Sequence, residues 1–290
     1  MSIAALGLIL VSAFIHASWN LLLKRTQVPN QTAFTLLFLG VGTLVFLPVA
    51  ALALWRYGMP AAVWPWAAAS VVIEVAYWML LTRAYQAGEM SAVYPLARGS
   101  GALLAALLGL TWLHEPVTPA VVLGIALILL GGLLLNRSTL GGQMPWFRTA
   151  TEGVRLALLT GLSIGLYSVI DKRATSLGAP VLFYFWLAYA GPALVLILVR
   201  GRQTRTILRA TWRAAGAAAV TVGILSPLAY LLVLGAMQMA PVSRVAAARE
   251  LNLVWGTLLG RWVLRERVGP TRLLGAGTIA VGVIALALAR

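Results

Sequence analysis

Four charged side chains stand near the midpoints of long apolar stretches: Glu74, Arg98, Arg249 and Glu250. At the centre of a membrane helix a charge costs about 2.5–3.5 kcal/mol on insertion scales, so it persists only when paired or when facing a cavity. Two acids and two bases can form neutral pairs, or they can flank a polar pocket. A guanidinium presents a planar fork of donors that fits a carboxylate or a phosphate. Arg98 and Arg249 are therefore candidates for a clamp on an anionic or zwitterionic solute. The competing reading is a salt-bridge lock between helices. Glu74 is a candidate acceptor of a coupling proton, because protonation removes the cost of burying a carboxylate; the competing reading is an ion pair with Arg98 or Arg249. Glu250 directly follows Arg249 and points elsewhere on its helix, with an arginine such as Arg244 as its expected partner.

Weaker candidates surround these. His16 can titrate near neutral pH, line a pocket, or bond to a neighbouring helix. Trp19, Trp78 and Tyr94 could wall a pocket, as could Tyr77, Tyr167 and Tyr230, although aromatics in such helices also serve in packing and interfacial belts. Asn20 could cap, bridge helices or line the site. The substrate-binding set is thus Arg98, Arg249, Glu74, Tyr94, Trp78, His16, Trp19 and Asn20, with Glu74 the proton candidate. The chain has no cysteine, and its two histidines, His16 and His114, are far apart. No metal, cofactor or thiol chemistry is expected. No Walker-type loop is present. An enzyme is not expected either, since no nucleophile stands beside a base and no acid-rich metal motif occurs.

These residues sit in a sequence that repeats. Arg98–Gly124 reads RGSGALLAALLGLTWLHEPVTPAVVLG, and 151 positions later Arg249–Gly275 reads RELNLVWGTLLGRWVLRERVGPTRLLG. Without a gap, Arg98 meets Arg249, Gly109 meets Gly260, Glu115 meets Glu266, Pro119 meets Pro270 and Gly124 meets Gly275. The same shift pairs Asn20 with Asp171 and Glu74 with Leu225. Self-similarity of this kind marks a duplicated architecture. Glu115 and Glu266 read as helix caps or gate tethers. Gly101, Gly109, Gly256 and Gly260 read as close-approach positions. Pro95 and Pro227 read as breaks lining a cavity or hinge.

Apolar residues make up 61% of the 290-residue chain and charged ones 10%. Mean hydropathy is +0.92. Apolar runs long enough to cross a bilayer, about 20 residues each, recur along it. They are continuous rather than alternating, which points to helices and excludes a barrel. The fold class expected is all-α integral membrane: ten transmembrane helices as two inverted five-helix repeats. The helices are expected near 3–24, 32–55, 63–83, 91–112, 117–135, 154–172, 180–200, 214–237 (interrupted at Ser226-Pro227), 241–264 and 271–289. The first stretch lacks a basic n-region and a cleavage site, and reads as a spanning helix rather than a signal peptide. Residues 1–136 form the first repeat, 137–151 a connector and 152–290 the second. Five helices per repeat is odd, so the second repeat enters from the opposite side, as in many secondary carriers.

The net charge of +15 does not imply nucleic acid. The basic residues lie between the apolar runs, where they set topology, and no basic face with interleaved aromatics occurs. The connections after the odd-numbered helices are far richer in lysine and arginine than the others and the termini, which places those connections in the cytoplasm and both termini outside.

The paired cassettes, Leu107-Leu108-Gly109 with Glu115 and Leu258-Leu259-Gly260 with Glu266, each followed by a proline and a glycine, resemble the drug/metabolite transporter superfamily, specifically its ten-helix EamA-type members. His16-Ala17-Ser18-Trp19-Asn20 with Lys24 resembles the first-helix signature of some bacterial branches. The resemblance covers nearly the whole chain. It implies a transporter in the inner membrane, with both termini in the cytoplasm, opposite to the charge bias. The expected activity is gradient-coupled transport, by alternating access, of a small polar organic solute. An amino acid or other carboxylate-bearing metabolite comes first. A phosphorylated or phosphonate metabolite, or a lipid to be flipped, is the alternative. Partners are the solute, protons and the lipid bilayer, with the protein a monomer or homodimer.

Overall fold

The computed structural model describes residues 1–26, 28, 30–87, 90–137, 152–200, 204–263, 265 and 268–289. Among them there is helix and no strand. The helices are α1 (Ile3–Arg25), α2 (Gln31–Tyr57), α3 (Trp64–Ala87, entered by a 3-10 turn at Ala61–Val63), α4 (Met90–Thr111), α5 (Pro119–Arg137), α6 (Glu152–Ser176), α7 (Val181–Arg200), α8 (Thr204–Met239), α9 (Val242–Ala248), α10 (Leu251–Val263) and α11 (Pro270–Leu288). Eight are long and apolar enough to cross a membrane, and α5 is a shorter apolar helix. The outward faces are apolar: Leu44, Leu52, Leu198, Val199 and Ile284 are all more than half exposed. Polar and charged side chains such as Glu74, Arg98, Asp171 and Glu250 are buried. That is the arrangement of a protein solvated by lipid. Of the connector expected at 137–151, Arg137 ends α5; residues 138–151 and Glu266 lie outside the described residues.

Two expectations are corrected. The helix expected at 241–264 is not continuous; it divides into α9 and α10 at Arg249-Glu250. The helix expected at 214–237 is the part of α8 that follows a kink at the non-helical Ala215; a further helical stretch from Thr204 precedes the kink, and the expected interruption at Ser226-Pro227 does not occur. The early start was hidden because Arg205, Arg209 and Arg213, four residues apart and all exposed, depress hydropathy without breaking the helical period. Pro227 is absorbed by packing. Proline clashes with, and leaves unbonded, the carbonyl four residues back, here Gly223. α2 covers that carbonyl closely: a Cβ on Gly42 would lie 2.8 Å from the Gly223 oxygen and 2.9 Å from the Pro227 ring.

The closest packing joins α5 to α11. A Cβ on Gly131 would lie 2.6 Å from the Gly275 oxygen, and one on Gly124 would lie 2.9 Å from the Gly282 oxygen. Position numbers rise on one helix as they fall on the other, so the helices run antiparallel. The two contacts exchange under the 151-residue shift. Backbone conformation follows the same shift: His114 (φ 52°) and Arg265 (φ 55°) share the left-handed region. α4 runs parallel to α6, with Gly101 against Ile164 and Gly165 against Leu104. Of the glycines expected at close approaches, Gly101 and Gly109 serve so, whereas a Cβ on Gly256 meets nothing within 4 Å.

Candidate functional site

At the α9–α10 break the backbone tightens. The N–H groups of Glu250, Asn252 and Leu253 donate to the carbonyls of Ala247, Arg249 and Glu250, three residues back instead of four. The turn sends the two charged neighbours to different partners. Glu250 accepts from Arg98 Nη2 of α4 at 3.1 Å, with both side chains less than a tenth exposed. The expected Glu250–Arg244 pairing is therefore corrected; Arg244 Nη1 donates to the Ala289 carbonyl at 2.7 Å. Arg249 lies over the Tyr230 ring of α8, 5.9 Å from its centroid. Among the described residues it has no carboxylate within ion-pair distance. The repeat-related arginines thus do different work: Arg98 is held by an acid and Arg249 by an aromatic face.

Both arginines line one pocket. α1 contributes His16 and Trp19, α3 Glu74, Tyr77 and Trp78, α6 Tyr167, α7 Tyr189 and α8 Tyr230. Asn252, in the first turn of α10, completes it. Its free volume of about 50 Å³ holds a few waters. Glu74 reaches the pocket and pairs with neither arginine among the described residues. Several buried polar atoms here have no hydrogen-bond partner among the described residues: the indole N–H of Trp19 and of Trp78, the Arg98 Nε–H and the Asn252 Oδ1. Three of those four are donors.

Tyr94 and Asn20 stand beside the pocket rather than in its lining. The Tyr94 hydroxyl is 3.1 Å from His16 Nε2 and receives longer contacts from the amides of Asn20 (3.5 Å) and Asn252 (3.4 Å). One hydroxyl of α4 thereby ties α1 to α10. His16 is bonded to a neighbouring helix and also faces the pocket. Sequence reasoning missed Asn252, Tyr189 and Ser12. Asn252 carried a usable signal, a polar residue two places after Glu250 in an apolar run. Tyr189 and Ser12 carried none.

A model of the EamA-like transporter family matches the sequence twice, over residues 3–137 and 151–288. The chain belongs to the EamA-like transporter family. It is a multi-pass membrane protein of the drug/metabolite transporter type. No curated protein matches it by sequence. A crystal structure described only as that of a protein is 19% identical, covers 98% of each chain and superposes with a TM-score of 0.75. That likeness concerns the fold.

In this EamA-like transporter the repeated glutamate has a visible task at its first copy. Glu115, between α4 and α5, accepts the N–H groups of Val242 (2.5 Å) and Ser243 (2.9 Å) at the start of α9. It caps the helix that ends at Arg249, not the one it precedes. On the other side of the α8–α9 turn, Lys172 Nζ donates to the carbonyls of Met237 and Ala240. Opposite charges therefore sit at the appropriate helix ends. Glu115→Gln is expected to lower stability by about 1–2 kcal/mol, read as a lower thermal unfolding midpoint of the purified protein. An unchanged midpoint would remove Glu115 as the anchor of α9.

Proposed function

We propose that this protein is a secondary carrier working by alternating access, which moves a small carboxylate-bearing solute, foremost an amino acid, across the inner membrane. Its ten crossings form two inverted five-helix repeats, residues 1–136 and 152–290 joined by 137–151, with the broken α9–α10 pair counting as one crossing. The observation that carries the reading is Arg249: a guanidinium facing a mid-bundle pocket with, among the described residues, no carboxylate at ion-pair distance. Arg98 and the indole N–H groups add donors without protein acceptors, and buried donors of that kind call for an acceptor. An anionic group supplies several.

The Arg98–Glu250 link gives such a carrier a moving part. A solute carboxylate competes with Glu250 for Arg98, and α4 is then free to part from the α9–α10 turn. The pocket in this conformation is too small for an amino acid, so entry requires that separation. A central polar pocket of charged and aromatic side chains supports a small solute over a lipid, which would call for an apolar groove open to the bilayer. Glu74, in the pocket and without an ion pair among the described residues, is the first place for a coupling proton, and no bound cofactor or metal is invoked.

Thermal stabilisation of the purified protein across a panel of amino acids, organophosphates and phosphonates tests this. Stabilisation by an amino acid or simple carboxylate supports the first reading. Stabilisation by organophosphates or phosphonates alone transfers the site to that class, and no stabilisation by any anion defeats the anion site.

A further inference from the structure

Behind the pocket wall stands a carboxylate that the carrier reading above does not use. Asp171 of α6 is fully buried. Its Oδ1 accepts two hydroxyl donors, Ser70 Oγ of α3 and Tyr184 OH of α7, each at 2.7 Å. Its Oδ2 accepts from Tyr230 OH of α8. A carboxylate oxygen with two donors has its lone pairs taken, so a proton reaching Asp171 belongs on Oδ2, opposite Tyr230. Tyr230 in turn lines the pocket and carries Arg249 on its ring.

Charge points the same way. Arg98 neutralises Glu250. Among the described residues, Arg249 is then the pocket guanidinium left without a close acid, set against two carboxylates that no cation pairs at close range: Glu74, one helical turn along α3 from Ser70, and Asp171. Lys172, next in sequence to Asp171, turns instead to the carbonyls of Met237 in α8 and Ala240 in the turn after it. The groups facing Asp171 are thus Ser70 and Glu74 from α3, Tyr184 from α7 and Tyr230 from α8, with Arg249 beyond the Tyr230 ring.

We propose that Asp171 is a second proton-binding carboxylate and that Tyr230 reports its state to the pocket. With Asp171 charged, the Tyr230 O–H donates to Oδ2 and is withheld from solute. With a proton on Oδ2, that O–H donates to the Tyr230 oxygen, and the Tyr230 proton turns into the pocket as a further donor for an anion. No covalent bond is made or broken other than O–H to the arriving proton. The use of this device in coupling rests on the carrier reading; the proton site itself does not.

The probe is the proton alone. Infrared difference spectra of the full chain in lipid, recorded between acid and alkaline pH without solute, report the carbonyl stretch of protonated carboxyl groups. Asp171→Asn is expected to remove one such band. Tyr230→Phe keeps the ring beneath Arg249 and removes one hydroxyl; it is expected to shift the frequency of that band and move its titration midpoint by about one pH unit or more. Spectra of Asp171→Asn that keep every band of the parent overturn the site. A band unmoved by Tyr230→Phe overturns the link. Since no solute is present, a failure of the anion-site reading leaves this result legible.

Discussion

Arg249→Ala is expected to weaken solute binding by about 30-fold to several thousand-fold while leaving the protein folded. Truncating one partner of a desolvated, hydrogen-bonded charge pair costs about 2–5 kcal/mol, and the proposed partner of Arg249 is the solute. Without solute, the guanidinium rests on the Tyr230 ring, an attraction worth about 2 kcal/mol in a desolvated setting, and no carboxylate among the described residues lies at ion-pair distance from it, so its removal breaks no close ion pair. Arg98→Ala should behave in the opposite way. It strands Glu250, which is 3% exposed, and a buried charge left without its partner costs about 3–5 kcal/mol. Its main effect is a lower unfolding midpoint, and Arg98→Ala combined with Glu250→Gln should recover much of it, because the stranded charge is gone. Thermal unfolding with and without a stabilising anion separates the cases. Equal affinity in Arg249→Ala and the parent would end the receptor role. An Arg98→Ala protein as stable as the parent would remove the ion pair as a structural lock.

Gly131→Ala, and more strongly Gly131→Ala with Gly275→Ala, is expected to separate α5 from α11. The methyl at 131 would fall 2.6 Å from the Gly275 oxygen, and that at 275 would fall 2.7 Å from the Gly131 oxygen. Both obstacles are backbone, so no side chain can rotate away. Overpacking costs about 1–3 kcal/mol and sometimes more, against a gain in helix propensity of at most about 1 kcal/mol. In the double variant two such clashes meet at one crossing, and loss of the monodisperse folded protein on gel filtration is the expected result. Gly277→Ala is the control. It lies on α11 two residues from Gly275, and its Cβ would meet nothing within 4 Å. Similar behaviour of Gly277→Ala and Gly131→Ala would refute the close-approach account.

These expectations rest on information read at different levels. The membrane class and the helix positions followed from apolar runs, because a bilayer demands length and hydropathy that no packing detail can disguise. Arg98 and Arg249 stand out in the sequence as candidates through the cost of burying charge and their match under the 151-residue shift. Glu115 was legible as a cap but not as the cap of α9, since a partner 127 residues away in the chain leaves no mark on local pattern. The helix expected at 241–264 reads as continuous for a similar reason. Ala248 and Leu251 are apolar on both sides of the break, and hydropathy does not register a change from four-residue to three-residue bonding.

The lipid-facing exterior, the duplicated plan and the short roster of charges that must be sheltered are all written in the chain. Composition and spacing carry those, because solvation by lipid acts on each helix separately. Which charge meets which is settled by packing between helices. Arg98 fell to Glu250, Arg249 to an aromatic ring, and Asp171 to three hydroxyls from α3, α7 and α8. Pairing depends on where the α9–α10 turn breaks and on how closely neighbouring helices approach. Those are set by contacts between residues tens to hundreds of positions apart, which no run of hydropathy encodes.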